Sequence, residues 1–154
     1  MNKLIKIYTD GSSIGNPGPG GYGIVMLTED GKYKKEYSQG FKMTTNNRME
    51  LLAVIIGLEN LKYKHCNVKI YTDSKYVSDA VEKGWLFDWE KKDFKNKKNP
   101  DLWRRFLEIY KNHKIKFKWI KGHNNDFYNE RCDFLANLAA KNSNLLEDKG
   151  YTIN

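Results

Sequence analysis

Lys6-Ile7-Tyr8-Thr9-Asp10 and Lys69-Ile70-Tyr71-Thr72-Asp73 are the same five residues met twice in one chain. Each is a β-branched and aromatic run, the composition of a strand, and each stops at an aspartate. The match does not extend far to either side, so it is no duplicated domain. One reading is ordinary strand composition repeated by chance. The other is geometric. Two parallel strands ending at one sheet edge would hold Asp10 and Asp73 about 4.8 Å apart. Two divalent ions in a phosphoryl-transfer site sit roughly 3.5–4 Å apart, so such carboxylates would reach shared ions. The carboxyl edge of an open α/β sheet is also where ligands usually bind.

Outward from these runs, residues 4–9, 22–28 and 34–41 read as strands, with turn material at 11–21 and an Asp30-Gly31 hairpin turn. They form an antiparallel meander. Thr44-Thr45-Asn46-Asn47 supplies helix-start chemistry, and residues 49–61 are apolar on nearly all sides, as in a buried helix. After the strand at 68–72 come helices at 75–83 and 101–111, the latter carrying Trp103, Phe106, Leu107 and Tyr110 at helical spacing. A strand at 115–120 follows, with Ile115, Phe117 and Trp119 on one face. Asp126 is the N-cap of a last helix reaching about residue 141. The two later strands arrive through helical crossovers and are therefore parallel. The expected fold is an α/β mixed sheet of five strands, three antiparallel plus two parallel, flanked by helices. It occupies one domain, 1–142, with a tail at 143–154 that carries little signal and is expected to fray.

Composition is consistent with this. A chain of 154 residues with 40 % apolar and 14 % aromatic side chains builds a single core, which excludes wholesale disorder. Lys and Arg number 27 against 19 acids, a net charge of +8 that suits a polyanion such as nucleic acid. Cys66 and Cys132 lack metal-ligand spacing and read as reduced thiols of an intracellular, cytoplasmic chain. Cys132 reads as a small packing residue in the last helix. The start, Met1-Asn2-Lys3-Leu4-Ile5-Lys6, is too short and polar for a signal peptide, and no run approaches the roughly 18 apolar residues of a membrane span.

Two more acids have competing readings. Glu50 sits early in the long helix, where Asn47-Arg48-Met49-Glu50 fits a capping-box spacing with Glu50 reaching back to an orphan amide. Asp133 lies beside the apolar stripe of Phe127, Phe134, Leu135 and Leu138, where an acid is often solvated or paired with a neighbour such as Arg131.

The surrounding motifs give a different context. Tyr8-Thr9-Asp10-Gly11-Ser12, Gly15-Asn16-Pro17-Gly18, Thr44-Thr45-Asn46-Asn47-Arg48-Met49-Glu50, Tyr71-Thr72-Asp73-Ser74, Trp119-Ile120-Lys121-Gly122-His123 and Asn129-Glu130-Arg131-Cys132-Asp133 closely resemble type 1 bacterial ribonuclease H, in order over about residues 3–141. The resemblance implies the ribonuclease H-like sheet and hydrolysis of the RNA strand of RNA–DNA hybrids, leaving 3′-hydroxyl and 5′-phosphate ends. It implies that Asp10, Glu50, Asp73 and Asp133 bind two Mg²⁺ ions, with Mn²⁺ as a substitute, Asp10 bridging them. By the same resemblance His123 handles protons or assists product release. Glu130, one helical turn before Asp133, is placed to contact the second ion's waters. The Gly11 backbone and the amides of Asn16, Asn46 and Asn47 face the RNA sugars, and Lys75 meets a phosphate. Trp85 touches DNA sugars, Thr45 and Asn99 form a phosphate pocket, and the lysines within 91–98 form a basic protrusion.

There are departures. The protrusion is several residues shorter than in the best-known members. Met43 stands where some members carry a basic residue near the phosphate pocket, and the His123 loop has Asp126 in place of a second histidine. No additional N-terminal hybrid-binding domain is expected, and the chain is expected to act as a monomer. The alternatives are another nuclease or integrase on the same kind of fold, or a non-catalytic nucleic-acid-binding module. Four intact acids speak against the latter, since acids beside a phosphate are unfavourable without a cation.

Overall fold

The structure, a computed structural model, describes residues 4–151. Strands β1 (Leu4–Ser13), β2 (Gly18–Thr28) and β3 (Lys34–Thr44) form the antiparallel meander. Helix α1 (Asn46–Glu59) leads to β4 (Asn67–Thr72). Three helices, α2 (Lys75–Glu82), α3 (Trp85–Lys91) and α4 (Pro100–Tyr110), then precede β5 (Lys114–Trp119), and α5 (Phe127–Ala140) closes the fold. The sheet order is β3-β2-β1-β4-β5, with β4 parallel to β1 and β5 parallel to β4.

The two sheet faces are covered differently. On one face, alternate strand residues Ile7, Ile24, Val68, Ile70, Ile115 and Phe117 pack with α1, Trp103 and Phe106 in the main core. α1 is buried on nearly every side because the sheet lies beneath it and α4 lies beside it. Truncating one of its core residues, such as Leu58→Ala, would cost about 2–5 kcal/mol. On the other face α5 covers β1, β2 and β3 around Tyr8, Val25, Leu27, Cys132 and Leu135.

That second face explains a difference from expectation. Residues 11–21 read as turn material, yet β1 runs on to Ser13 and β2 begins at Gly18. The glycines there serve helix packing as well as turning: a Cβ on Gly21 would stand 2.7 Å from the Ala136 carbonyl oxygen of α5. Removing side chains lets the helix settle on the strand, a role turn statistics do not signal.

Two further expectations are corrected. Of the stripe on α5 only Leu135 is buried, while Phe127, Phe134 and Leu138 are exposed, and Arg131 pairs with Glu36 on β3 rather than with Asp133. The tail is tied down over its described residues, 143–151, while 152–154 lie outside them. Lys42 N–H donates to the Leu146 carbonyl at 2.8 Å, and Leu146 N–H to the Gly40 carbonyl at 3.0 Å. Asp148 receives Thr44 Oγ1 at 2.7 Å and Arg48 Nε at 2.6 Å.

Candidate active site

The repeated runs lie side by side in register, Lys6 opposite Lys69, Ile7 opposite Ile70 and Tyr8 opposite Tyr71. The two tyrosine rings stack at 4.4 Å. This register carries Asp10 and Asp73 to one sheet edge. α1 starts above that edge and adds Glu50. One carboxylate oxygen from each of Asp10, Glu50 and Asp73 lies within 4.8 Å of the others.

Glu50 does not cap its helix. Thr45 is the N-cap and its Oγ1 accepts from Arg48 N at 3.2 Å. Glu50 Oε1 instead accepts the Gly11 N–H at 2.6 Å. The contact depends on Gly11 having no side chain, because a Cβ there would collide with the backbone of Met49 and Glu50. Asp133, on α5, stands close enough to Asp10 to raise its pKa and lines the same cleft. Its Oδ1 accepts from Asn137 Nδ2 at 3.2 Å.

The acids are electrostatically uncomfortable. Burial, followed by Asp73 and then Asp133, raises Asp10 to about 8. Burial also pushes Glu50 well above the ordinary carboxyl range, with Asp10 and Asp73 adding to it. Crowded carboxylates in a dry site favour either protons or a cation. Their hard oxygen donors match Mg²⁺ or Mn²⁺.

Around them a cleft of about 400 Å³ is lined by Asp10, Gly11, Asn46, Asn47, Glu50, Asp73, Ser74, Lys75, Tyr76, His123 and Asp133. His123 is exposed, in a left-handed conformation (φ 56°). Sequence reasoning missed the residues that shape the cleft rather than line it. A Cβ on Gly122 would stand 2.7 Å from Asp73 Oδ2, so a glycine lets the His123 loop pass that acid. Trp119 Nε1 donates to the Asp73 carbonyl at 2.9 Å, and Lys75 Nζ lies 4.7 Å from the Trp119 ring centroid.

The expected rim residues divide into two groups. Asn16 Oδ1 accepts from Asn46 N at 3.1 Å, and Asn46 Oδ1 accepts from Ser13 N at 2.7 Å. These bonds hold the Asn-rich helix start against the end of β1. Thr45 and Asn99 do not line the cleft; both meet Arg48, Asn99 through its Oδ1 at 3.2 Å from Arg48 Nη1. Asn99 Nδ2 also donates to Tyr76 Oη at 3.0 Å, as does Trp103 Nε1. Tyr76, another residue the sequence reading passed over, thereby links Asn99 to the acid-lined cleft.

Trp85 is exposed and lines a separate cavity of about 530 Å³ with Asp88, Trp89, Lys92, Lys95, Asn96 and Lys97. The protrusion is anchored: Phe94 is buried with the Arg104 guanidinium 4.9 Å from its ring, and Trp89 meets Trp103 edge-on at 5.9 Å. Trp103 is core.

A carboxylate cluster at the carboxyl edge of a mixed five-stranded sheet, beside an amide-lined cleft, defines a metal-dependent hydrolase class. A family model, RNase H, matches residues 2–141. The chain is 57 % identical over 148 residues to a ribonuclease H of Desulforamulus reducens, covering 93 % of this chain and 91 % of that protein. It is 52 % identical over 152 residues to a ribonuclease H of Trichodesmium erythraeum, covering 96 % and 95 %. Among solved structures it resembles LC9-RNase H1, described as a type 1 RNase H with the type 2 active-site motif, with a TM-score of 0.81, 30 % identity and coverage of 91 % and 73 %. It also resembles LC11-RNase H1 solved in complex with an RNA/DNA hybrid, with a TM-score of 0.68, 30 % identity and coverage of 88 % and 96 %. The chain belongs to the ribonuclease H family and is an endoribonuclease. This excludes the non-catalytic module and the other nucleases considered from sequence.

Proposed function

We propose that this endoribonuclease cuts the RNA strand of RNA–DNA hybrids with two divalent ions, leaving 3′-hydroxyl and 5′-phosphate ends. The observation that carries the reading is the group of three carboxylates within 4.8 Å beside the asparagine-lined rim. Asp10, Glu50 and Asp73 would hold one Mg²⁺, and Asp10 with Asp133 the second, Glu130 assisting through water. When bound, the ions supply an activated water and stabilise charge on the leaving oxygen. Gly11 N–H keeps Glu50 turned toward Asp10 and Asp73. His123, on its exposed loop, takes the proton work or helps product leave.

Substrate choice rests on the rim. The Asn16 and Asn46 carbonyls are engaged within the protein, which leaves their amide NH₂ groups to meet the 2′-hydroxyl that distinguishes RNA. The backbone at Gly11 and the Asn47 side chain complete that side. Lys75 meets an RNA phosphate, Trp85 a DNA sugar, and Thr45 and Asn99 a DNA phosphate. The enzyme is read as a cytoplasmic monomer. Its two free cysteines fit a reducing compartment, and among the described residues no helix is long and apolar enough to cross a membrane.

The test offers labelled RNA–DNA hybrid, double-stranded RNA and double-stranded DNA with Mg²⁺. Selective cutting of the RNA in the hybrid is expected, and equal cutting of all three would reject the reading. Asp10→Asn should abolish cleavage while hybrid binding persists. Near-normal turnover by that variant would reject the metal assignment.

A further inference from the structure

α5 covers β1, β2 and β3 on its side of the sheet, where Tyr71 of β4 joins the cluster beneath it, and leaves the rest of β4 and β5 uncovered by a helix. The bare face is basic. Lys6, Lys69 and Lys116 stand in one register row across β1, β4 and β5, and Lys114 and Lys118 flank Lys116 along β5. Their neighbours Ile7, Ile70, Ile115 and Phe117 point into the core, so strand alternation puts all five lysines on the opposite face. The three on β5 are exposed. Among the described residues none of the five makes an ion pair.

Like charges directly opposite one another on adjacent strands are destabilising. Lysines along an edge strand do guard against edge-to-edge pairing. That accounts for Lys114, Lys116 and Lys118, and not for Lys6 and Lys69, which lie on inner strands. Aromatic rings adjoin the row. Lys69 Nζ lies 5.4 Å from the Tyr71 ring, which stacks on Tyr8, which meets Tyr128 at 5.0 Å, which meets the exposed Phe127 at 5.1 Å. The row also leads to the catalytic edge, because Lys118 pairs with Tyr71, two residues before Asp73.

We infer that this face is a second nucleic-acid surface, outside the catalytic cleft, that holds a single-stranded extension of the substrate. Unpaired lysines in a row with aromatic side chains beside them are the combination that tracks a phosphate backbone and stacks bases without reading sequence. The inference rests on the hybrid-cleavage reading for its choice of substrate.

The experiment measures binding to a short RNA–DNA hybrid that fills only the cleft, with and without a single-stranded DNA extension on either end. It uses Asp10→Asn protein, so that nothing is cut, alone and with Lys69→Gln, Lys116→Gln and Lys118→Gln added. The extension should tighten binding at least several-fold for the parent. The lysine substitutions should erase that gain and lower the salt slope for the extended substrate by about 2, at about 0.7 per phosphate contact on a single strand. Affinity for the short hybrid should stay as it was, and the melting temperature should hold or rise as like charges are relieved. An extension that adds nothing to the parent's affinity would overturn the inference. So would a gain that survives the substitutions, or an equal loss for both substrates. Failure of the short hybrid itself to bind the parent would instead count against the hybrid-cleavage reading, so the two failures are distinguishable.

Discussion

The Gly11 amide donates to Glu50 Oε1 at 2.6 Å across 39 residues of chain, and this bond joins the end of β1 to the first turns of α1. It fixes the angle at which Glu50 enters the acid cluster. Gly11→Ala should therefore damage catalysis and folding together. The added Cβ meets backbone, which cannot rotate away. Overpacking of this kind costs about 1–3 kcal/mol, and a displaced Glu50 should lower turnover by about a hundredfold. Melting curves and hybrid cleavage with Mg²⁺ measure both. Normal turnover in the variant would show that Glu50 placement is not set by this contact.

The raised Asp10 makes the metal-free protein sensitive to pH in a stated direction. Unfolded, Asp10 titrates near 3.8; folded, it titrates near 8. Between these values the native state keeps a proton that the unfolded chain has released. Stability therefore falls as pH rises through that window. Below it both states are protonated and the penalty vanishes. The effect is on the order of a few kcal/mol. Urea unfolding in a chelator should show a weaker protein at pH 8 than at pH 5, with Mg²⁺ restoring the loss. Asp10→Asn should flatten the dependence and raise stability at pH 8. Parallel pH curves for the variant and the parent would mean that Asp10 is not the strained group.

Which of these features were legible beforehand follows from the range of the interactions. Asp10 and Asp73 were visible because strand alternation is local and the repeated run places both at one edge, as the Tyr8–Tyr71 stacking bears out. Glu50 was visible only through the family resemblance, because its partner Gly11 is distant in sequence and a local cap accounted for it from its own surroundings. The start of β2 was misread because Gly20 and Gly21 carry a turn signal, whereas their cause is close packing, Gly21 against α5 and Gly20 against Thr44, Ser12 and Met49. Phe127, Phe134 and Leu138 have helical periodicity, but periodicity does not say whether anything lies over them. The docking of Leu146 and Asp148 depends on Gly40, Lys42, Thr44 and Arg48, about a hundred positions earlier.

That last contact carries its own consequence. Arg48 is buried between Asp148, itself only 7 % exposed, and Asp101, and its Nη1 also reaches Asn99. Asp148→Ala removes one carboxylate and leaves a buried guanidinium half-paired. Breaking a buried pair this way costs about 3–5 kcal/mol, and less here because Asp101 stays. A melting temperature lower by roughly 5–10 °C is expected. Hybrid KM should rise more than kcat falls, since Asn99 lies outside the acid cluster. A variant with unchanged melting temperature would show that the tail is not a structural part of the enzyme.

The protrusion gives a different signature, because its lysines make no ion pair among the described residues and only Lys97, 5.0 Å from the Trp89 ring centroid, touches its aromatic anchors. Lys91, Lys92, Lys95, Lys97 and Lys98 are all exposed, while the protrusion's fold depends on Phe94 and Trp89 packing against α4. Replacing the five lysines with alanine should leave the melting temperature within a degree or two, since surface changes away from packed contacts shift stability by less than about 0.5 kcal/mol. Each lysine that meets a phosphate contributes about 0.9 to the slope of log affinity against log salt. Hybrid binding by the variant should therefore be weaker at low salt and less steep as salt rises, with KM raised and kcat near the parent value. Titrating binding over a series of salt concentrations separates this from misfolding, which would lower kcat and the melting temperature as well. An unchanged slope would mean that the lysines do not touch substrate, and that Trp85 and its cavity make the contact without them.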